Sequence, residues 1–358
     1  MSVRSLNPAL LSHFNSYGLV KFTQGFKNVM QPVILQKIID KLDLKSKYPE
    51  SSSMDIIDIF PGYGIFSSMI NYELKPKHHL LIEGNKDSAA MWKERISHLE
   101  NKSFNSEHFE VVNKSGYSWT TYDDLTKEKI INPTFQSFDK PHDQLLIVGN
   151  LTSNFGESLF TQWVMCSYYR NWLHKYGKVR MLVLIPQESA SKFITMSGYS
   201  KRNKSACKLE ILTNTKLIAI TEHKDRSKPQ GASYDPRVLI RDQPLILPNS
   251  SVIPSGGQVA LVEVVPKNIP ELDMALLEYI IQLFMYKSTM PVDYMLEYIS
   301  PGAREQLGPK LPAHLRTKQV KLLTGEDYLE IYNVFNAWPF KPTLQETMGI
   351  TLEDTREL

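Results

Sequence analysis

Asp58, Gly62 and Gly64 fall within Asp-Ile-Phe-Pro-Gly-Tyr-Gly, directly after an apolar run, and Glu83 closes the next apolar run. Two glycines at such a turn permit a tight reversal and close approach of backbone to a ligand, and an acid at the end of the following strand can hold a ribose diol. That is the general logic of S-adenosylmethionine and dinucleotide sites. Structural Pro-Gly turns are equally common, so these residue types alone leave both readings open. A second group is Tyr117 and Trp119, two apart in Gly-Tyr-Ser-Trp. On a shared face they could cradle an unstacked base; the alternative is a rim of the core. A third group is Lys201, Arg202, Lys204 and Lys208, with a companion basic patch at 223–228. Such charges contact phosphates or simply solvate a loop. No Asp/Glu pair and no histidine, His78 and His79 included, has the spacing of a metal site.

The elements that must position these residues alternate. Apolar residues at helical spacing over 32–44 predict a helix with Pro32 in its first turn. Strands are predicted at 54–60, 78–85, 109–113, 143–151, 178–186, 215–221 and 258–266. Helices are predicted at 65–74, 86–100 and 158–177, the last a single long one capped by Gly177. Strands alternating with helices argue for an open parallel α/β sheet with helices on both faces. After Pro266 the pattern is helical only, over 269–288, 291–299 and 324–338. The expected organisation is an α/β domain at 1–266, a small C-terminal helical domain at 267–337 and a flexible C-terminal tail at 338–358.

Of 358 residues, 42% are hydrophobic and 22% charged, ordinary for a chain that buries a core. The net charge of +3 confines any nucleic-acid contact to local patches. Two cysteines supply no disulfide framework, and no apolar run approaches transmembrane length, so no membrane partner is expected. Before the first acid, Asp40, come Arg4, Lys21, Lys27 and Lys37 among serines; this reads either as a mitochondrial presequence or as an ordinary polar N-terminus.

Several segments together resemble the ribosomal-RNA adenine dimethyltransferase family. Residues 23–44 resemble its Gln-x-Phe opening segment, 58–64 its Glu-x-Gly-Pro-Gly-x-Gly loop, 82–89 its ribose-binding segment, 186–212 its Gln-(basic)-Glu-x-Ala segment and basic loop, and 247–266 its proline-rich approach to the last strand. The resemblance implies a methyltransferase-like (Rossmann-like) fold. It also implies cofactor roles for Asp58, Gly62, Gly64, Glu83 and Asn150. Within the family, Ala-Trp-Pro-Phe-Lys-Pro at 337–342 resembles the branch formed by the fungal mitochondrial transcription factors, specificity factors of the mitochondrial RNA polymerase.

Departures from the family pattern bear on function. Methylating members carry Asn-Leu-Pro-Tyr-Asn after the fourth strand, and its tyrosine stacks on the target adenine. Here Asn150, Leu151 and Asn154 match, but Thr152 replaces the proline and Ser153 the tyrosine. Phe60 stands at the first glycine of the loop, and Ser115 at the aspartate that binds the cofactor adenine. The expectation is therefore a vestigial cofactor site, with Asp58 and Glu83 reduced to satisfying loop amides, no bound cofactor and no catalysis. The resemblance implies an initiation factor in the mitochondrial matrix, a monomer whose partners are mitochondrial RNA polymerase and promoter DNA. It assigns melted non-template strand to Tyr117 and Trp119, phosphates to Lys201, Arg202 and Lys204, and the tail to Trp338, Phe340 and Lys341. The alternative is an S-adenosylmethionine-dependent rRNA adenine N6-dimethyltransferase; a third class is a structural ribosome-assembly factor.

Overall fold

The computed structural model describes residues 3–16, 25–102, 108–222, 234–343 and 346. The basic patch at 223–228, Lys21, and the tail beyond 343 apart from Glu346 lie outside the described residues. The chain packs as two compact units. One is Met1–Ser191 with Leu212–Asn268; the other is Lys192–Ile211 with Ile269–Leu358.

The first unit holds an eight-stranded sheet. Its strands are β1 (Asp55–Ile59), β2 (His78–Ile82), β3 (Phe109–Val112), β4 (Pro141–Asn150), β5 (Lys178–Pro186), β6 (Thr213–Thr221), β7 (Leu245–Leu247) and β8 (Val259–Pro266). The spatial order is β3-β2-β1-β4-β5-β8-β6-β7. Ile56, Ile57 and Ile59, Leu80 to Ile82, and Leu145 to Val148 are all buried, as expected of strands covered on both faces. The main helices of this unit are α1 (Pro8–Ser16), α2 (Pro32–Leu42), α3 (Ile65–Leu74), α4 (Lys86–Glu100), α5 (Trp119–Lys127), α6 (Gly156–Tyr169) and α8 (Pro236–Asp242).

The expected α/β domain at 1–266 gives up Lys192–Ile211 to the helical unit, and two details of the α/β unit also depart from the sequence-based expectation. The sheet is mixed, because β8 runs antiparallel to both β5 and β6. Its register explains why. Val259, the first residue of β8, pairs with Pro186, the last of β5, so after β7 the chain turns at the carboxyl end of the sheet and β8 runs back between β5 and β6. A two-residue ribbon fastens that turn: Asn28 and Val29 pair with Ile253 and Val252. The expected long helix also breaks. α6 ends at Arg170, which takes a left-handed conformation at φ 49°, and Trp172–Tyr176 forms a separate 3-10 turn. Trp163 and Trp172 then stack 4.9 Å apart in the core.

The second unit is helical: α7 (Lys204–Leu212), α9 (Met274–Tyr286), α10 (Val292–Ile299) and α11 (Gly325–Asn336), with shorter turns between. α11 begins with a full capping box. Thr324 accepts the Asp327 amide, and the Asp327 carboxylate accepts the Thr324 amide. Trp338 closes this unit, buried against Phe335, with its indole N–H donating to Gln306 at 2.7 Å.

Candidate functional site

The glycine loop joins β1 to α3 at the carboxyl edge of the sheet, where ligands of open α/β folds sit. Its glycines are needed by the protein's own packing. Gly62 has φ 59°, and a Cβ there would fall 2.2 Å from Asn28 Oδ1. Gly64 has φ 78°, and a Cβ there would fall 2.1 Å from the Trp92 ring. Asn28 Oδ1 also accepts the Tyr63 amide at 3.1 Å, and the buried Arg95 guanidinium donates to the Tyr63 carbonyl at 2.9 Å while stacking 4.2 Å from the Trp92 ring.

Phe60 is buried and left-handed, at φ 59°, a conformation rare for a bulky side chain. Its ring lies 5.3 Å from Phe26 and 4.7 Å from Tyr117. A Cβ on Gly116 would meet that ring at 2.7 Å, which is why glycine precedes Tyr117. Tyr117 in turn donates to or accepts from Ser153 Oγ at 2.9 Å and meets Phe155 edge-on at 6.3 Å. Phe26, Phe60, Tyr117 and Phe155 thus form one aromatic row, with Ser153 under its centre.

Asn150 and Thr152 hold the chain rather than face solvent. The Asn150 amide donates to the Lys27 carbonyl at 2.9 Å, and its carbonyl accepts the Thr152 hydroxyl at 2.7 Å. The Lys27 amide donates to Thr152 Oγ1 at 2.7 Å. Against the loop lies a cavity of about 50 Å³ walled by Asp58, Phe60, Gly64 and Asn150 together with Leu35 and Ile38 of α2 and Leu184 and Leu261 of the sheet.

The two acids behave differently from one another. Glu83 accepts the amides of Asn85, at 2.9 Å, and of Gly62. Asp58 does not meet loop amides, contrary to the expectation; its carboxylate takes His79 Nε2 at 3.3 Å, and His79 Nδ1 meets Asn71 at 3.2 Å. Burial pushes the Glu83 carboxyl up to about 7, against the pull of the two amides. In the unfolded chain the same group titrates near 4.5. Between those values the folded state keeps a proton that the unfolded state has released, so stability falls as pH rises through the window and the full cost is present above it. Glu83→Gln cannot ionise. Its melting temperature should gain on that of the wild type across this window, by roughly 5 °C or more, and stay level above it. Parallel thermal melts from acid to neutral pH check this.

Trp119 and Tyr117 do not share an environment. Trp119 is the first residue of α5 rather than a loop residue, it is 42% exposed, and no ring contacts it among the described residues. Phe155 is 64% exposed at the end of the Asn150–Asn154 turn. Sequence reasoning missed Phe155; the available signal was an aromatic immediately after a buried polar turn.

In the helical unit, the basic group divides. Lys201 is exposed. Lys204 is half-buried and donates to Gln282 at 3.0 Å. Arg202, expected on the surface, points inward: its side chain is 5% exposed, donates to the Thr195 carbonyl at 2.9 Å and pairs with Glu210. Lys208 is also committed, to Glu278 at 2.7 Å. Of the C-terminal residues, Trp338 is buried, Phe340 is 72% exposed, and Lys341 bonds Asn336. No group of three or more metal-binding side chains occurs among the described residues, and no described helix is long and apolar enough to cross a membrane.

A glycine turn after β1, an acid after β2 and an asparagine after β4, on a sheet whose last strand runs antiparallel, define a methyltransferase-like α/β protein. The sequence profile of the ribosomal RNA adenine dimethylase family matches residues 19–337, and the chain belongs to that family. It is 29% identical over 328 residues to mitochondrial transcription factor 1 of Saccharomyces cerevisiae, spanning 91% of this chain and 92% of that protein. With mitochondrial transcription factor 1 of Lachancea kluyveri it shares 28% over 333 residues, 92% of this chain and 94% of the relative. Two solved structures have the same fold at 13% identity. A dimethyladenosine transferase from Plasmodium falciparum matches with a TM-score of 0.52 over 86% of this chain and 97% of its own. The 23S rRNA methyltransferase ErmE matches with a TM-score of 0.51 over 86% and 99%.

Proposed function

We propose that this protein is a mitochondrial transcription initiation factor, acting in the matrix, that binds the single-subunit mitochondrial RNA polymerase, assists promoter recognition and melting, and holds the open non-template strand. It does not transfer methyl groups. The observation that carries this reading is the aromatic row. Phe60 and Tyr117 pack together at the edge of the sheet where a methyl donor would lie, while Phe155 and Trp119 are exposed. The residues present do not fit S-adenosylmethionine. Phe60 stands buried at the loop, its ring packed against Phe26 and Tyr117. The Glu83 carboxylate and Asn150 amide are also taken by backbone. The names of the curated relatives support the same reading.

The test is initiation by the polymerase, with and without this protein, on a duplex promoter and on one mismatched through the start region. Strong stimulation on the duplex and little on the mismatched template is the expected result. The methyltransferase alternative requires that the isolated protein bind S-adenosylmethionine at micromolar concentration in calorimetry; none is expected.

Phosphate contacts in the helical unit fall to Lys201 and Lys204, since Arg202 and Lys208 are held by carboxylates while Lys204 bonds only the neutral Gln282. The double change Lys201→Ala, Lys204→Ala should weaken DNA binding across sequences. It should also flatten the log–log salt dependence by roughly one unit per lost contact, read from binding titrations at several salt concentrations.

A further inference from the structure

A second, open cavity among the described residues lies away from the glycine loop, at the amino ends of β1 and β2. There the 3-10 turn Ser51–Ser53, which leads into β1, faces the end of α3, which leads into β2. The Ser51 hydroxyl closes onto the Leu74 carbonyl and ties the two walls together. Between them opens a cleft of about 480 Å³ lined by Arg4, Lys45, Ser51, Ser52, Tyr72 and Lys75, with Glu73 as its single acid.

The charges are unbalanced. Lys45 offsets Glu73 at 3.3 Å, and Glu73 also accepts the Ser5 hydroxyl. Arg4 reaches Asp40 at 2.7 Å from a largely exposed position. Lys75 has no carboxylate partner among the described residues; it caps α3 in a left-handed conformation at φ 51°, with its ammonium 5.7 Å from the Tyr72 ring centroid. The Ser52 hydroxyl is exposed and has no hydrogen-bond partner among the described residues. The unpaired Lys75, two further cations in partly exposed ion pairs, the Ser52 hydroxyl and a tyrosine ring around a volume within the usual small-molecule range are the donors and the stacking surface that a phosphorylated aromatic ligand uses.

We propose that this cleft binds a nucleoside di- or triphosphate, its phosphates on Lys45, Lys75 and Arg4 with Ser52 donating, and its base along Tyr72. A nucleic-acid backbone would meet an exposed stripe rather than a concave site. The proposal does not rest on the transcriptional reading, because no residue of the aromatic row or of the basic helical segment takes part.

Calorimetry with ATP, inorganic triphosphate and adenosine on the full chain tests it. Saturable ATP binding, weaker triphosphate binding and no adenosine binding are expected. Lys75→Glu should weaken ATP at least tenfold with an unchanged melting temperature, since the side chain is exposed. Lys201→Ala, Lys204→Ala should leave ATP binding intact, as should an excess of single-stranded promoter DNA. Absence of saturable ATP binding up to about 1 mM would overturn the proposal, as would a normal affinity in Lys75→Glu or displacement of ATP by the DNA. Equal affinity for triphosphate and ATP would overturn the nucleoside assignment.

Discussion

Trp119→Ala should reduce initiation on a duplex promoter by about tenfold or more, and most of that loss should vanish on a template already mismatched through the start region. Stacking one base on an indole is worth about 1–3 kcal/mol, and every 1.4 kcal/mol is a factor of ten. The energy is gained only once the base has left the duplex, so it biases the open state and contributes nothing where the template is open from the outset. The position of Trp119 makes the experiment clean. The ring is 42% exposed in the first turn of α5, so truncation removes little packing and the melting temperature should hold. Tyr117→Ala provides the contrast. That ring lies 4.7 Å from Phe60 and bonds Ser153, so its loss should lower the melting temperature as well as the activity. An equal defect of Trp119→Ala on both templates, together with a lowered melting temperature, would sink the stacking assignment.

Arg202→Ala should behave in the opposite way: a large loss of stability with no change in the salt dependence of DNA binding. The guanidinium is 5% exposed and bridges the Thr195 carbonyl to Glu210. Removing it strands a carboxylate and a carbonyl beside the buried Cys207. Breaking a fully buried pair costs about 3–5 kcal/mol. Glu210 retains some solvent access, so about 2–3 kcal/mol is the fitting range here. For a unit of this size that corresponds to a drop of roughly 10 °C in its unfolding transition. Thermal melting and salt titrations of the same preparation separate the two roles. A slope lowered by about one unit with an unaltered melting temperature would return Arg202 to the DNA surface.

The fold was legible because its strands are continuous apolar runs. Leu80 to Ile82 or Leu145 to Val148 can be little else than buried strand. Strand direction was not legible. Nothing in Gln258 to Pro266 distinguishes parallel from antiparallel; the distinction is made by the turn and the ribbon that fastens it. The site was legible as residue types but not as orientations. Lys201, Arg202 and Lys204 read alike as charges, yet Arg202 turns inward because Glu210, two turns along α7, offers it a partner. Tyr117 and Trp119 read as a pair, yet Gly116 lets one ring drop onto Phe60 while helix α5 carries the other outward.

The ribbon between Asn28–Val29 and Val252–Ile253 also sets an order of assembly. Asn28 is the residue that braces the glycine loop, through Gly62 and the Tyr63 amide, but its own strand partner arrives more than two hundred residues later. On a ribosome, β1, α3 and the loop between them emerge early and can form their local bonds, while Asn28 must wait for Ile253 to leave the exit tunnel. Contacts of such sequence separation form late because the loop they close costs entropy. The carboxyl edge of the sheet is therefore the last part of the α/β unit to be locked, and a nascent chain released before the final strand would carry that edge unbraced.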